Sequence, residues 1–84
     1  MSYSIDIDPR AQDTIAALPA DALVALAEAL AVLELAAESA GRAVNPDLNP
    51  DAPVRNLPFG GTGMITYLVL ERDRRVDVLL ITWA

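Results

Sequence analysis

Three chemically versatile residue types are missing from this 84-residue sequence, which contains no cysteine, no histidine and no lysine. Without cysteine, the chain cannot form a disulfide framework or a thiolate metal site, a pattern typical of cytosolic proteins. Without histidine, it lacks the commonest general base and metal ligand, and no Ser-His or Cys-His catalytic arrangement is available. We therefore predict no metal and no cofactor, and most hydrolase chemistry is excluded.

Long hydrophobic runs are also missing. The longest apolar stretch, residues 22–37, is interrupted by Glu28 and Glu34 and is short of the roughly 20 residues that a bilayer crossing requires. The first residues show no basic region followed by an apolar one, so no secretory signal peptide is expected. The sequence therefore predicts a cytoplasmic protein with no membrane contact.

Positive charge is scarce, since six arginines face 12 acidic residues and the net charge is −6. A hydrophobic fraction of 54% indicates a folded chain, and 84 residues suffice for one domain. Residues 54–84 hold four of the six arginines but only three of the acidic residues. Any contact with an anion is therefore predicted in the last third of the chain.

The beginning of the chain predicts a strand followed by a short helix. Apolar and polar residues alternate over residues 2–7, as in a strand that buries one face. Asp8 can cap a helix and Pro9 suits its first position, so a helix is expected from about residue 9 to 18. Asp6 and Asp8 lie on the polar side of the strand, where solvated carboxylates are a simpler interpretation than a metal or acid-base pair.

Pro19 separates this helix from a second one. Because the proline ring disfavours helical geometry in the preceding residue, the second helix is expected to begin near Ala20 or Asp21. Leucines then recur at spacings of three and four, which is typical of an apolar stripe: Leu23, Leu26, Leu30 and Leu33. The two helices are expected to form an antiparallel hairpin on a sheet.

The second half of the sequence predicts a loop and three strands. Residues 38–53, rich in asparagine and proline, are expected to form a loop that is either functional or merely mobile. Strands are expected over residues 54–57, over 64–71, and from 75 or 76 to 83, with the last two forming a hairpin. The whole chain, residues 1–84, is thus predicted to be one α+β domain of β-α-α-β-β-β order, with a mainly antiparallel sheet.

A glycine-rich segment, Gly60-Gly-Thr-Gly63, joins the first two of these strands. A phosphate-binding loop of this composition would precede a helix N-terminus, and no helix follows here. A turn between strands is the favoured interpretation.

Four arginines are candidates for contact with an anion or with nucleic acid. Arg72, Arg74 and Arg75 surround the tip of the last hairpin, where guanidinium groups either bind an anion or are simply solvated. Arg55 lies in a short strand beside the glycine turn, where its side chain can project onto the sheet surface.

Tyr67 and Trp83 are the large aromatic residues of the last hairpin. Both are expected in the core, and on an open sheet face either would instead offer a stacking surface to a base or a partner side chain. The apolar fraction of 54% exceeds what one small core requires, so a protein partner is expected as well.

Several segments resemble the RelE/ParE superfamily of type II toxin-antitoxin toxins. They are Tyr3-Ser-Ile-Asp-Ile-Asp-Pro-Arg-Ala11, Val54-Arg-Asn-Leu57, and Ile65-Thr-Tyr-Leu-Val-Leu-Glu-Arg-Asp73 running into Val76-Asp-Val-Leu-Leu-Ile81. With the order of elements, the resemblance covers nearly the whole chain. It implies a RelE-like fold and a toxin that is neutralised by a cognate antitoxin wrapped around it.

In the RelE-like branch, the resemblance implies ribosome-dependent cleavage of mRNA without a metal. Lysines and arginines of the sheet would stabilise charge at the scissile phosphate. Arg55 occupies the position in the second strand where the family commonly places such a cation, which makes it the candidate catalytic residue. The catalytic set is depleted, because Met64 stands where RelE-like toxins usually carry an arginine and no lysine is present.

Three functions stay open on the sequence alone. The chain is an endoribonuclease toxin acting on the ribosome and mRNA, a ParE-like toxin that targets DNA gyrase by protein contact, or a non-enzymatic binding module that associates with a partner or as a homodimer. A net charge of −6 opposes docking on ribosomal RNA. If the chain is an acidic toxin, its antitoxin is also expected to contact it through basic or apolar residues. The charges of the two partners would then be the reverse of the usual ones in such pairs.

Overall fold

A computed structural model describes residues 2–44 and 53–84 of the chain. In this part, the elements are β1 (Ser4–Ile7), α1 (Pro9–Ala16), α2 (Ala20–Ala40), β2 (Arg42–Ala43), β3 (Val54–Phe59), β4 (Gly63–Leu70) and β5 (Arg75–Thr82), with a 3₁₀ turn at Glu71–Asp73. The helices pack on one side of a mostly antiparallel sheet. This arrangement confirms the predicted α+β fold class.

The sheet has the strand order β1-β5-β4-β3-β2. β4 and β5 form the predicted antiparallel hairpin, and β3 pairs antiparallel with β4 across the glycine turn. β1 is parallel to β5 and lies at one edge, whereas the two-residue β2 lies at the other. Within residues 2–44 and 53–84, the first strand therefore pairs with the last and with no other strand.

The transition from β1 to α1 follows the capping pattern of the sequence. The Asp8 side chain accepts a hydrogen bond from the Arg10 backbone N–H at 2.9 Å, and Pro9 is the first helical residue. The Gln12 side chain donates to the Ile7 carbonyl oxygen at 2.9 Å and ties α1 to the end of β1. The predicted helix cap at Asp8 is confirmed.

Helix α2 bends near its end. Ala36 has non-helical backbone angles, φ −147° and ψ 43°, inside the helix. Just before this bend, the Glu34 carbonyl oxygen accepts a hydrogen bond from the Tyr3 backbone N–H at 2.7 Å. A hydrogen bond from a donor outside the helix to one of the helix's backbone carbonyl groups is a recognised cause of helix bending. The contact fixes the start of β1 against α2.

The buried side of α2 differs from the predicted leucine stripe. Leu26 and Leu33 are buried as expected, but Leu30 is only half-buried and Leu23 is 40% exposed. Alanines complete the buried side: Ala22, Ala29 and Ala37. Alanine gives little hydrophobic signal in a sequence, yet its small side chain lets the helix approach the sheet closely.

The predicted loop over residues 38–53 is also corrected in part. α2 continues to Ala40, because no helix breaker precedes Gly41, and Arg42–Ala43 then form β2 opposite Asn56 and Arg55. Residues 45–52, the rest of the predicted loop, lie outside the described residues.

Candidate functional site

The two faces of the sheet differ in what covers them. Residues directly opposite each other on neighbouring strands point to the same face, so Arg55 and Leu57 of β3 share the helix-covered face with Tyr67 and Ile65 of β4. The helices leave the other face uncovered, and we call it the open face. Its apolar side chains are Val54, Pro58, Met64, Leu68, Leu70 and Leu80. Its polar side chains are about as many and include Ser4, Asp6, Asn56, Thr66, Arg75, Asp77 and Thr82.

An open groove of about 640 Å³ lies where β2, β3 and β4 meet the end of α2. Its lining includes Arg42, Asn56 and Met64. The Thr66 hydroxyl donates to the Asn56 side-chain oxygen at 2.7 Å, which fixes the amide and leaves its N–H groups as donors. One guanidinium and one amide beside apolar walls suit a peptide segment better than a phosphodiester that needs several cations.

Arg55, the candidate catalytic residue, lies on the helix-covered face. One of its terminal nitrogens donates to the Gly41 carbonyl oxygen just beyond the end of α2. Its Nε is buried and has no hydrogen-bond partner among the described residues. A cation at this place also interacts favourably with the negative end of the helix dipole. The observed contacts of Arg55 are structural, and its catalytic role stays a prediction.

Tyr67 is fully buried beside Arg55. Its hydroxyl donates to the Ala37 carbonyl oxygen at 2.8 Å, across the last turn of α2. Burial raises the pKa of Tyr67, and the neighbouring Arg55 guanidinium opposes that rise. The structure therefore places Tyr67 in the core, where a nucleic-acid base cannot stack on it.

Trp83 occupies a different position. Its ring stacks on Phe59 with 5.5 Å between ring centroids, and it is only partly buried. Because Phe59 belongs to the core, Trp83 extends that core toward the glycine turn. Gly60 in this turn has φ +60°, and a Cβ there would lie 2.8 Å from the Trp83 ring. The segment is thus a turn between β3 and β4, as predicted.

The three arginines of the hairpin tip have separate surroundings. Arg74 stacks over the Tyr3 ring at 3.9 Å and pairs with Glu71 at 2.7 Å. Arg75 pairs with Asp77 at 2.9 Å, which raises the pKa of the guanidinium further, and Arg72 is exposed. Arg74 and Arg55 both interact electrostatically with Glu38, so these two cations share an acidic neighbour.

Tyr3 is the centre of a polar cluster that the sequence did not indicate. Its hydroxyl lies 2.5 Å from a Glu38 carboxylate oxygen and 2.7 Å from a Glu71 carboxylate oxygen. Burial, followed by the two carboxylates, raises the pKa of Tyr3 far above its usual value, whereas the Tyr3 hydroxyl lowers the pKa of Glu38. The cluster joins β1, α2 and the 3₁₀ turn at the end of β4.

The remaining carboxylates form no evident site. Asp6 lies opposite Asp77 on neighbouring strands, and Asp8 caps α1. Among residues 2–44 and 53–84, no group of three or more acidic side chains is close enough to hold a metal ion. Neither of the described helices is long and apolar enough to cross a membrane.

The sequence analysis missed Arg42 and Asn56 as groove residues. It placed Arg42 in a loop, and only the pairing of β2 with β3 puts Arg42 opposite Asn56. No local pattern in a two-residue strand could have indicated this pairing.

Comparison with known proteins shows a clear likeness in structure and none in sequence. No protein-family model matches the chain, and no curated protein matches it. The RelBE2 toxin-antitoxin complex of Mycobacterium tuberculosis contains a similar chain, with TM-score 0.82, 20% identity and 100% of both chains covered. The isolated E. coli RelE toxin is similar with TM-score 0.76 and 20% identity, over 99% of this chain and 85% of that chain. A chain of the archaeal RelE-RelB complex of Pyrococcus horikoshii matches with TM-score 0.63 and 17% identity, over 99% of this chain and 96% of that chain.

These similarities establish the fold. The chain has the fold of the RelE toxins, with the helices on one side of the sheet and the other side uncovered. The resemblance stated from the sequence is thereby confirmed at the level of structure.

Proposed function

We propose that this chain is the toxin of a type II toxin-antitoxin pair and is bound by an antitoxin protein. The observation that carries the proposal is the match of the whole chain to RelE structures, which include complexes with an antitoxin. Exposed apolar side chains on α2 support a protein partner: Val24, Val32 and Leu35.

The open face supports a protein target better than RNA cleavage. Among the described residues, the strands of this face carry two cations. Arg42 borders the groove, and Arg75 is paired with Asp77. Phosphodiester cleavage without a metal needs several unpaired cations around the phosphate. A face that mixes apolar and polar side chains and has few cations suits contact with a protein, as in a toxin that acts on gyrase or another protein.

The test is induced expression of the wild type and of Arg42→Ala, each with and without the adjacent reading frame. Growth arrest that the neighbouring product relieves supports a toxin with its antitoxin. Arg42→Ala is expected to reduce toxicity, because Arg42 is the exposed cation of the groove. No arrest in either strain, and no binding of the neighbouring product, would contradict the proposal.

Ribosome-dependent cleavage of mRNA is the second candidate function, and Arg55 is the residue that motivates it. The assay is cleavage of a reporter mRNA on translating ribosomes by the wild type and by Arg55→Ala, with thermal unfolding of both proteins as a control. Cleavage that disappears in a folded Arg55→Ala protein would favour this candidate. Growth arrest without cleavage would favour a protein target.

A further inference from the structure

Helix α2 is more apolar than its packing in this chain requires. One side is buried against the sheet through Leu26, Leu33 and neighbouring alanines. On the opposite side, Val24 is 61%, Val32 46% and Leu35 74% exposed. Several large apolar side chains exposed together on one side of a helix often mark a surface that another protein covers. The outer side of α2 is therefore a candidate contact surface.

The exposed residues form one continuous strip, which we call the outer face of α2: Val24, Glu28, Ala31, Val32 and Leu35. Four of them follow at spacings of three and four, so they share one side of the helix. At 1.5 Å per residue, the strip from Val24 to Leu35 is about 16 Å long, enough for three turns of a second helix. Its edge at Val32 borders a groove of about 250 Å³ between α2 and β3.

Charge decides what can cover this strip. α2 carries Asp21, Glu28, Glu34 and Glu38 and no basic residue. A second copy of the chain would bring carboxylates against carboxylates around Glu28, which is costly where water is excluded. A partner with lysine or arginine beside an apolar stripe would instead pair with them.

We propose that the outer face of α2 binds an amphipathic helix of a partner protein, with an apolar stripe flanked by lysine and arginine. The proposal rests on the proposed function, because we assign this helix to the antitoxin. Leu35 and Val24 pack against the apolar stripe, and Glu28 pairs with a flanking cation. The antitoxin is thus expected to contact this acidic toxin through basic residues.

The direct test uses a helix-stabilised designed peptide of about 14 residues, with leucines along one side and lysines on both flanks. Binding to the full chain is measured by isothermal titration calorimetry. The matched control peptide has glutamate in place of every lysine. The wild type is expected to bind the lysine peptide and not the glutamate peptide.

Three variants locate the contact. Leu35→Gln is expected to weaken binding of the lysine peptide about tenfold, because one apolar anchor is lost. Glu28→Lys is expected to exchange the preference, so that the glutamate peptide binds better than the lysine peptide. Leu80→Gln is the matched control, since Leu80 is 46% exposed but lies on the open face, and it should bind as the wild type does.

Two results would overturn the proposed contact. One is equal binding of the lysine peptide to Leu35→Gln and Leu80→Gln. The other is a dimer of the wild type, seen by light scattering, that Leu35→Gln dissociates, because a second copy would then occupy the outer face of α2.

Co-purification with the product of the adjacent reading frame separates this proposal from the proposed function. If that product does not bind the wild type, the proposed function fails while the peptide result stands. If it binds the wild type and Leu35→Gln equally well, the assignment of the helix to the antitoxin is wrong. Reduced co-purification with Leu35→Gln but not with Leu80→Gln supports both.

Discussion

At the scale of single residues, Tyr3 joins distant parts of the chain through one hydroxyl. Glu38 and Glu71 both lie within hydrogen-bond distance of it, and Arg74 stacks on its ring. A phenol has a single proton and can donate to one carboxylate at a time. The stability of this cluster is therefore expected to depend on the protonation of Glu38, whose pKa the Tyr3 hydroxyl lowers.

Tyr3→Phe is expected to lower the free energy of unfolding at pH 7 by about 1–2 kcal/mol, because a hydrogen bond to a charged group is lost. The Tyr3 hydroxyl lowers the pKa of Glu38 below its usual value of 4.5. A carboxyl group with a lowered pKa stabilises the fold above its usual pKa, and this contribution disappears as the pH falls through the folded pKa. The difference between wild type and variant should thus shrink below about pH 4.5 in urea unfolding.

Tyr67→Phe is the matched control for this prediction. It removes a hydroxyl that donates to the Ala37 backbone carbonyl and to no carboxylate. Its destabilisation should stay constant between pH 7 and pH 3. A pH-independent effect of Tyr3→Phe would show that Glu38 does not contribute.

Arg55 is expected to matter for stability whatever its role in toxicity. Arg55→Ala removes the donor to the Gly41 carbonyl oxygen at the end of α2, at a cost of about 1–2 kcal/mol. Arg55→Lys keeps the charge and should restore part of the loss. Urea unfolding of the three proteins measures this, and an Arg55→Ala protein as stable as the wild type would contradict it.

At the scale of elements, the junction between α2 and β2 depends on a glycine. A Cβ added to Gly41 would clash with the Asn56 backbone carbonyl oxygen in β3 and would lie 2.8 Å from the Tyr67 hydroxyl oxygen, which is held in the core by Ala37. Gly41→Ala is therefore expected to destabilise the fold by about 1–3 kcal/mol through overpacking. Thermal unfolding of the variant measures this effect.

Gly61→Ala provides the comparison. Gly61 has φ +84°, but a Cβ there would meet no atom within 4 Å. Only backbone strain is expected, about 1 kcal/mol. If Gly61→Ala destabilised the fold more than Gly41→Ala, the predicted overpacking around Gly41 would be wrong.

The elements with a strong local pattern were predictable from the sequence. Alternation indicated β1, the Asp8-Pro9 pair indicated the start of α1, and apolar runs indicated β4 and β5. The two-residue β2 has no such pattern. The side on which Arg55 lies depends on strand register, and a shift of one residue would have moved it to the open face. Sequence periodicity alone could not settle this position.

At the scale of the whole molecule, a toxin fold is combined with a net charge of −6. Binding to ribosomal RNA normally gains from the release of counterions by protein cations, and here the net charge has the opposite sign. The chain is therefore expected not to sediment with ribosomes at physiological salt. Sedimentation that persists at raised salt would contradict this prediction and revive the ribonuclease candidate.

The pairing of β1 with β5 has a consequence for synthesis in the cell. Chain growth proceeds from the N-terminus, so β1 is made first, whereas β5, its strand partner in the described part of the chain, is made after β4. Pairing between strands that are far apart in the sequence slows folding, because these contacts form only after the intervening chain is available. A nascent chain that lacks β5 cannot complete the sheet. On the proposed function, toxicity would therefore begin only when synthesis of the domain is nearly finished. If the proposed function holds, an antitoxin already present in the cell would meet each molecule of this chain as it acquires its fold.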